Sequence, residues 1–191
     1  MAKAIEELQL DHANFLKLLK VLEEELAVFD SGEAPDYEII DSVAAYFTDY
    51  AERFHHPLEN RIFARLKERA GSAVASISHL PREHERLSEE AASFRALTQS
   101  VLQEAEIPRA LFHERARRFI EQERAHIAGE EKHFFSKATA LLDEEELNRL
   151  LLEEEKESDP LFDKEVKEEY RLLAQRLLDW EKEKSGRSRV A

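Results

Sequence analysis

The sequence contains no cysteine, and this absence excludes several kinds of site at once. A chain without thiols has no disulfide, no thiolate zinc site, no cysteine-ligated iron–sulfur cluster and no cysteine nucleophile. Glycine and proline are also scarce, with four and five residues in a chain of 191. Because all-β folds need frequent turn residues between short strands, this scarcity favours long helices instead.

Positive charge and long apolar runs are lacking as well. The 28 Lys and Arg residues are outnumbered by 42 Asp and Glu, which gives a net charge of −14. This acidic balance argues against nucleic acid and against an anionic membrane surface as partners. No run approaches the ~18 apolar residues of a spanning helix, and the N-terminus lacks the apolar core of a secretory signal. We therefore expect a soluble, cytoplasmic protein.

Apolar residues recur at three- and four-residue spacing over long stretches, and this period is typical of amphipathic helices. Turn signals interrupt the pattern near residues 33, 71 and 106. Four long helices are therefore expected, over about residues 2–29, 36–70, 73–104 and 109–142. Long helices joined by short loops favour an up-down-up-down four-helix bundle.

Further helix signals follow the bundle. Asp143, with Glu146 three residues later, has the spacing of a capping box that opens a fifth helix. Asp159 followed by Pro160 predicts the N-cap and first-turn proline of a sixth helix, which would reach about residue 184.

Two prolines fall inside the predicted helices. Pro57 removes a backbone donor and crowds the carbonyl of Arg53, so we expect a kink or a local widening there. Pro81 either kinks the third helix or marks its true start. Together the patterns predict an all-α fold in two parts: a four-helix bundle over residues 1–142 and an extension with two additional C-terminal helices over 143–191.

Histidines occupy the apolar faces of the predicted helices. His12 lies in the apolar stripe of the first helix, and His84 lies in that of the third. In the second and fourth helices a histidine precedes a glutamate by four residues, a spacing that puts both side chains on one face. These two pairs are His55 with Glu59 and His126 with Glu130.

These side chains also lie at a common height in the predicted bundle. His12 and His55 are almost equally far along the chain from the turn near residue 33, one before it and one after it. His84 and His126 are likewise almost equally far from the turn near residue 106. At a rise of ~1.5 Å per residue, the mismatches in height are only a few ångströms. One layer of the bundle can therefore hold all six side chains.

A buried layer of this composition predicts a metal site. Each buried carboxylate costs several kcal/mol if it is unpaired, and metal cations would compensate two of them. Four imidazoles and two carboxylates suit iron, manganese or zinc. Two carboxylates are enough to bridge a pair of ions, and six protein ligands leave positions open for a small molecule.

Four fragments resemble the hemerythrin-like, or HHE, cation-binding family, over about residues 4–140. They are Leu10–Phe15, Phe54–Phe63, Glu83–Glu85 and His126–Glu131, the last followed by Phe134 and Phe135. Each fragment alone is a weak signal, but their order along four helices is specific.

The resemblance implies a non-haem di-iron centre of the Fe–O–Fe type with two iron ions, for which manganese and zinc are alternatives. Its terminal ligands would be His12, His55, His84 and His126, and its bridging ligands would be Glu59 and Glu130. The family binds or senses dioxygen, or handles iron, nitric oxide or peroxide. The resemblance therefore favours a protein that binds metal and a small oxidant, in iron or oxidative stress handling, over a dedicated enzyme.

The chain departs from the oxygen carriers of the family, which have one more histidine a turn away from the third-helix ligand. The two positions one turn away are here Leu80 and Ser88. Glu131 stands where those carriers have an aspartate ligand. It is expected to compete with Glu130 as a metal ligand. The lost histidine is expected to leave the site more open, which favours redox reactivity or sensing over reversible carriage.

The sequence does not decide which further side chains join the site. His56 is rotated by about 100° from His55 in a regular helix, which favours a place beside the ligands or at the surface. His79, His133 and Glu131 stay open as additional donors.

Two other functions fit parts of the pattern. The pairs Glu52/His55 and Glu123/His126 have the Glu-x-x-His spacing of a ferritin-like di-iron oxidase. That class also needs a core glutamate on each of the other two helices, where this sequence has histidine. The acidic surface leaves open a metal-independent helical interaction module, and the sequence leaves open a homodimer.

Overall fold

The computed structural model describes residues 2–152 and 159–187, and within these ranges the chain is helical with no β-strand. The predicted all-α fold is confirmed. The α-helices are α1 (Lys3–Asp30), α2 (Tyr37–Tyr46), α3 (His56–Ala70), α4 (Leu80–Leu102), α5 (Arg109–Gly129), α6 (Phe135–Leu141), α7 (Glu144–Leu152) and α8 (Arg171–Arg187). None of the described helices is long and apolar enough to cross a membrane.

Two of the long predicted helices each consist of two α-helices joined by a wider π-helical segment. Phe47–His55 joins α2 to α3, and Glu130–Phe134 joins α5 to α6. In the first, the His56 N–H bonds to the Ala51 carbonyl, five residues back. Pro57, which lacks a donor and crowds the preceding turn, explains this segment, so the expected local widening is confirmed. The second segment has no proline and was not predicted.

The start of the third long helix differs from the prediction at residue 73. Gly71–Ile77 forms a 3-10 helix, and α4 begins only at Leu80. Pro81 occupies the first turn of α4, where its missing N–H has no helical acceptor in any case. The proline therefore marks the true start of the helix and does not kink it.

After residue 142, the predicted capping box at Asp143 is confirmed. The predicted start of a further helix at Asp159 is wrong. Asp143 Oδ1 accepts the Glu146 N–H at 2.9 Å at the start of α7. Asp159 was expected to cap a helix, but its Oδ1 accepts the N–H groups of Leu161 and Phe162 in a turn. The next α-helix, α8, begins only at Arg171. Residues 153–158 and 188–191 of the predicted extension lie outside the described residues.

The apolar core is split by a polar layer. α4 packs against α2 and α5, and α1 packs against α5 and α2, so the long helices surround a common interior. Along α1, Leu8 belongs to one apolar cluster and Phe15 to another, with buried His12 between them. α4 has the same order, from Leu80 in one cluster to Ala91 in the other. Histidine and glutamate side chains therefore lie between two apolar clusters.

A buried hydrogen bond joins the segment after α7 to α2. The Tyr46 hydroxyl donates to Asp159 Oδ2 at 2.7 Å. Both residues are buried, with Tyr46 fully enclosed. Because a buried acceptor that loses its donor is costly, this bond should contribute measurably to stability.

Replacing Tyr46 with Phe is expected to lower the free energy of unfolding by about 1–3 kcal/mol, because Asp159 would lose its buried donor. Urea denaturation followed by circular dichroism measures the change. Tyr37→Phe is the matched control, since Tyr37 is half-buried and its hydroxyl has no such acceptor among the described residues. Equal effects of the two substitutions would contradict the assignment.

Candidate metal centre

The structure brings all six predicted ligands together in one buried layer. Each is at most 3 % exposed, and Glu59 is completely enclosed. The six are His12 from α1, His55 from the first π segment, Glu59 from α3, His84 from α4, His126 from α5 and Glu130 from the second π segment.

The donors of this layer fall into two adjacent groups that share Glu59. One group contains His12, His55, Glu59 and Glu130, and the other contains His56, Glu59, His84 and His126. Within each group the candidate ligand atoms lie within 4.8 Å of one another. Two adjacent groups with a common carboxylate suit a pair of ions.

Glu59 faces both groups, one with each oxygen. Its Oε1 lies 3.4 Å from His55 Nε2, and its Oε2 lies 3.4 Å from His84 Nε2. In the first group, the Nε2 atoms of His12 and His55 are 3.1 Å apart. Two ring nitrogens that converge in this way point their lone pairs at a shared position when both rings are neutral.

Glu130 also reaches both sides of the layer. Its Oε1 lies 3.1 Å from His84 Nε2. Its Oε2 lies 3.3 Å from His12 Nε2 and 3.2 Å from His126 Nε2. Both carboxylates therefore occupy the positions of bridging groups between the two sets of imidazoles.

The structure places His56 in the buried layer and not at the surface. The expectation put it beside the ligands or at the surface, but it is 5 % exposed and belongs to the second group. Its ring stacks on that of His84, with centroids 4.2 Å apart and planes 9° from parallel. His56 follows the π segment, where each residue turns by less than in a regular α-helix, so both His55 and His56 face the interior. Pro57 was the signal of this widening in the sequence.

A fifth imidazole lies beside His84, where the additional histidine of the oxygen carriers is missing. Leu80 and Ser88 do lack a ring, but His56 supplies an imidazole directly beside His84. The second group therefore has three imidazoles and the shared carboxylate.

In four of the five inward histidines, the outer ring N–H donates a hydrogen bond to a side-chain oxygen. That oxygen comes from another part of the chain or from the preceding helical turn. The acceptors of Nδ1 are Glu131 for His12 at 2.9 Å, Asp11 for His55 at 3.1 Å, Glu52 for His56 at 2.9 Å and Asn60 for His84 at 3.0 Å. His126 Nδ1 lies 3.7 Å from Glu83 Oε1. Such partners fix the tautomer that leaves Nε2 free to bind a metal.

The other candidate donors lie outside both groups. Glu131 does not compete with Glu130, because its carboxylate holds the outer nitrogen of His12. His79 and His133 are exposed. The nearest acidic partner of His79 is Glu83, at 3.3 Å.

The two glutamates that suggested a ferritin-like site are also outside the groups. Glu52 accepts a hydrogen bond from His56 Nδ1, the outer nitrogen of that ring. It does not belong to either ligand group. Glu123 is buried, and burial together with nearby Glu52 raises its pKa to about 8. The raised pKa favours the neutral acid, a form that needs no cation.

Burial and mutual contact shift the pKa values of the histidines in different directions. Burial and neighbouring His55 lower the pKa of His12 to about 4. Burial and stacked His56 lower the pKa of His84 to about 2. Burial also opposes the charge on His55, but Glu59 and Asp11 outweigh it and raise the pKa of that ring to about 10. His12 and His84 are therefore neutral, the form that binds a metal, whereas His55 holds a proton.

The two inward carboxylates also have opposite shifts. Although burial disfavours its charge, the rings of His55 and His84 lower the pKa of Glu59. Burial and the Glu59 charge raise the pKa of Glu130 well above its ordinary value. Two carboxylates this close cannot both ionise at low cost unless a cation joins them.

Several buried polar atoms of the layer have no hydrogen-bond partner within the described ranges. They are both oxygens of Glu59, Oε2 of Glu130 and both ring nitrogens of His126. An unpaired buried polar atom costs about 1–3 kcal/mol, so this concentration needs a compensating group. Imidazole and carboxylate donors suit first-row transition metals, and the residues present fit two such ions.

Comparison with known proteins decides the family. A family model, the hemerythrin HHE cation-binding domain, matches residues 3–138. The chain belongs to the hemerythrin HHE family. The match covers every member of the two ligand groups and ends before α7. No curated protein and no solved structure matches the chain.

Metal uptake by this HHE domain is expected to release protons and to weaken as the pH falls. His55 and Glu130 have raised pKa values, which favour their protonated forms, and a metal must displace those protons. Zinc uptake at pH 7 should release about one to two protons per chain, and its affinity should rise from pH 6 to pH 8. Calorimetry in buffers of different ionisation enthalpy measures this number. Uptake without proton release would contradict the assignment of these groups.

Replacing His56 with Ala is expected to reduce bound metal from about two ions per chain toward one, because the second group would lose a donor. The affinity for the second ion should fall by about tenfold or more. Metal analysis after dialysis measures both quantities. His133→Ala, which removes an exposed ring, is the matched control. Full occupancy in His56→Ala would place His56 outside the centre.

Proposed function

We propose that this HHE protein holds a pair of transition-metal ions, iron in the first instance, and binds or senses dioxygen or a related small oxidant or nitric oxide. The observation that carries the proposal is the position of Glu59, whose two oxygens face two separate groups of imidazoles. In this proposal the terminal ligands would be His12, His55, His56, His84 and His126, and the bridging ligands would be Glu59 and Glu130.

The protein's own residues would supply geometry and exclude water. The outer hydrogen bonds orient the rings, as that of His12 to Glu131 does at 2.9 Å. The apolar clusters on both sides of the layer close it to bulk solvent. A bound metal pair would supply one-electron redox chemistry and open coordination positions for a small molecule.

The donor set favours a hemerythrin-like role over a ferritin-like one. The inward side chains of α1 and α4 are His12 and His84, where a ferritin-like oxidase needs glutamates. With both glutamates as bridges, the first group offers four protein donors and the second offers five, which leaves positions free on a six-coordinate iron ion for an exogenous ligand. Sensing or redox protection fits such a centre, and a dedicated enzymatic reaction is not required.

The proposal extends to the organisation of the chain. We infer an up-down-up-down bundle over residues 1–142, supported by the packing of α1, α4 and α5 and by a family match that ends at residue 138. Residues 143–191 would be an extension beyond the metal-binding domain. A cytoplasmic location and a homodimer stay predictions from the sequence.

The test is a metal inventory combined with the absorption spectrum of aerobic protein purified from iron-supplemented cells. We expect about two iron ions per chain and, from the family resemblance, absorption in the near ultraviolet that zinc protein would lack. Glu59→Ala should lose both ions, because both groups contain this residue. Glu68→Ala, an exposed change in the same helix, is the control.

Two outcomes would overturn the proposal. Fewer than about one transition metal per chain in the wild type would count against any metal centre. Loss of metal in Glu52→Ala but not in Glu59→Ala would favour the ferritin-like oxidase.

A further inference from the structure

A cavity of about 270 Å³ borders the first ligand group. It lies between α1, the Phe47–His55 segment and the chain that follows α7, and its wall includes His55, Asp11 and Tyr50. Phe162, which lies beyond the family match, also lines this cavity. Of the four oxygen acceptors that hold the outer nitrogens of the inward histidines, Asp11 is the one that lines this cavity.

Asp11 accepts two hydrogen bonds, one with each oxygen. His55 Nδ1 donates to Oδ2 at 3.1 Å, and the Tyr50 hydroxyl donates to Oδ1 at 3.2 Å. Burial, together with the Asp11 charge, raises the pKa of Tyr50 above its ordinary value, so the hydroxyl keeps its proton. A phenol, a carboxylate and an imidazole therefore form a continuous chain from the cavity wall to the proposed metal ligand.

This chain has an electrostatic consequence for a metal at His55. A carboxylate that accepts the Nδ1 proton makes the imidazole a stronger donor, which stabilises the more oxidised state of the ion. The Tyr50 hydroxyl draws negative charge away from the same carboxylate and weakens this effect. With the hydroxyl in place, the ion is expected to be more easily reduced.

We propose that Tyr50 is a positioning residue that acts through Asp11 and His55 to raise the reduction potential of the metal centre. The inference rests on the proposed function, because it requires a redox metal at His55.

The reduction potential of the iron-loaded full-length protein tests this directly, by spectroelectrochemical titration. Tyr50→Phe should lower the potential, since Asp11 would regain its full charge. Asp11→Asn should raise it, because a neutral amide replaces the carboxylate. Tyr46→Phe is the matched control: its ring stacks on Tyr50 with centroids 5.1 Å apart, but its hydroxyl donates to Asp159. The control should leave the potential unchanged.

Rescue by a small molecule separates this role from a structural one. Tyr50→Ala would enlarge the cavity by the volume of the lost ring, because Tyr50 lines it. Added phenol should restore the potential toward that of the wild type, whereas toluene, which has a similar shape and no hydroxyl, should not.

The outcomes distinguish failure of this inference from failure of the proposed function. A wild type that takes up no metal overturns both. A wild type that loads iron, with equal potentials in Tyr50→Phe and the wild type, overturns the inference alone. Equal shifts in Tyr50→Phe and Tyr46→Phe, or equal rescue by phenol and toluene, would also overturn it.

Discussion

Two carboxylates enclosed side by side in an apolar interior are the constraint on which the structure depends. Glu59 is completely buried, and Glu130 is 2 % exposed and close enough to have its own ionisation opposed by the Glu59 charge. Five imidazoles surround them, yet both oxygens of Glu59 lack a hydrogen-bond partner within the described residues. Ionising both carboxylates in such a core is costly without cations, so the fold and the candidate metal site are best understood as one energetic unit.

The helices that carry these side chains are irregular where the donors lie. Both π-helical segments, Phe47–His55 and Glu130–Phe134, contain a member of a ligand group. A wider turn costs backbone hydrogen-bond geometry, but it changes which residues face the interior. In the first segment it brings two successive histidines inward. In the second, Glu130 faces the layer while Glu131 reaches the outer nitrogen of His12.

The part of the chain beyond the family match packs against the matched part through apolar and polar contacts, and Leu173 of α8 shares an apolar cluster with Phe15. Asp159 accepts the hydroxyl of Tyr46, and Arg176 of α8 forms ion pairs with Glu24 and Glu25 at 3.2 and 3.6 Å. These contacts place Phe162 against the cavity that borders His55. The environment of the first ligand group is therefore shaped in part by residues outside the matched domain.

What the sequence determined by itself is the set of features that act within one helix. The apolar period predicted the all-α fold, and the four-residue spacing from His55 to Glu59 showed which side chains share a face. Pro57 and the Asp143 capping box likewise act on neighbouring backbone groups, and both predictions are confirmed. Counting residues from each turn even predicted a common height for donors on separate helices.

Tertiary structure alone decided the features that depend on residues far apart in the chain or on exact helical phase. Pro57 predicted a widened turn, but packing decided which side chains that turn directs inward, and His56 joins the second group. Glu131 and His12 are 119 positions apart, so their hydrogen bond could not be read from local spacing. Asp159 has the sequence of a helix cap, but the buried Tyr46 hydroxyl and the turn at Leu161 occupy its oxygens. Local signals state what a side chain can do, and packing decides which partner it meets.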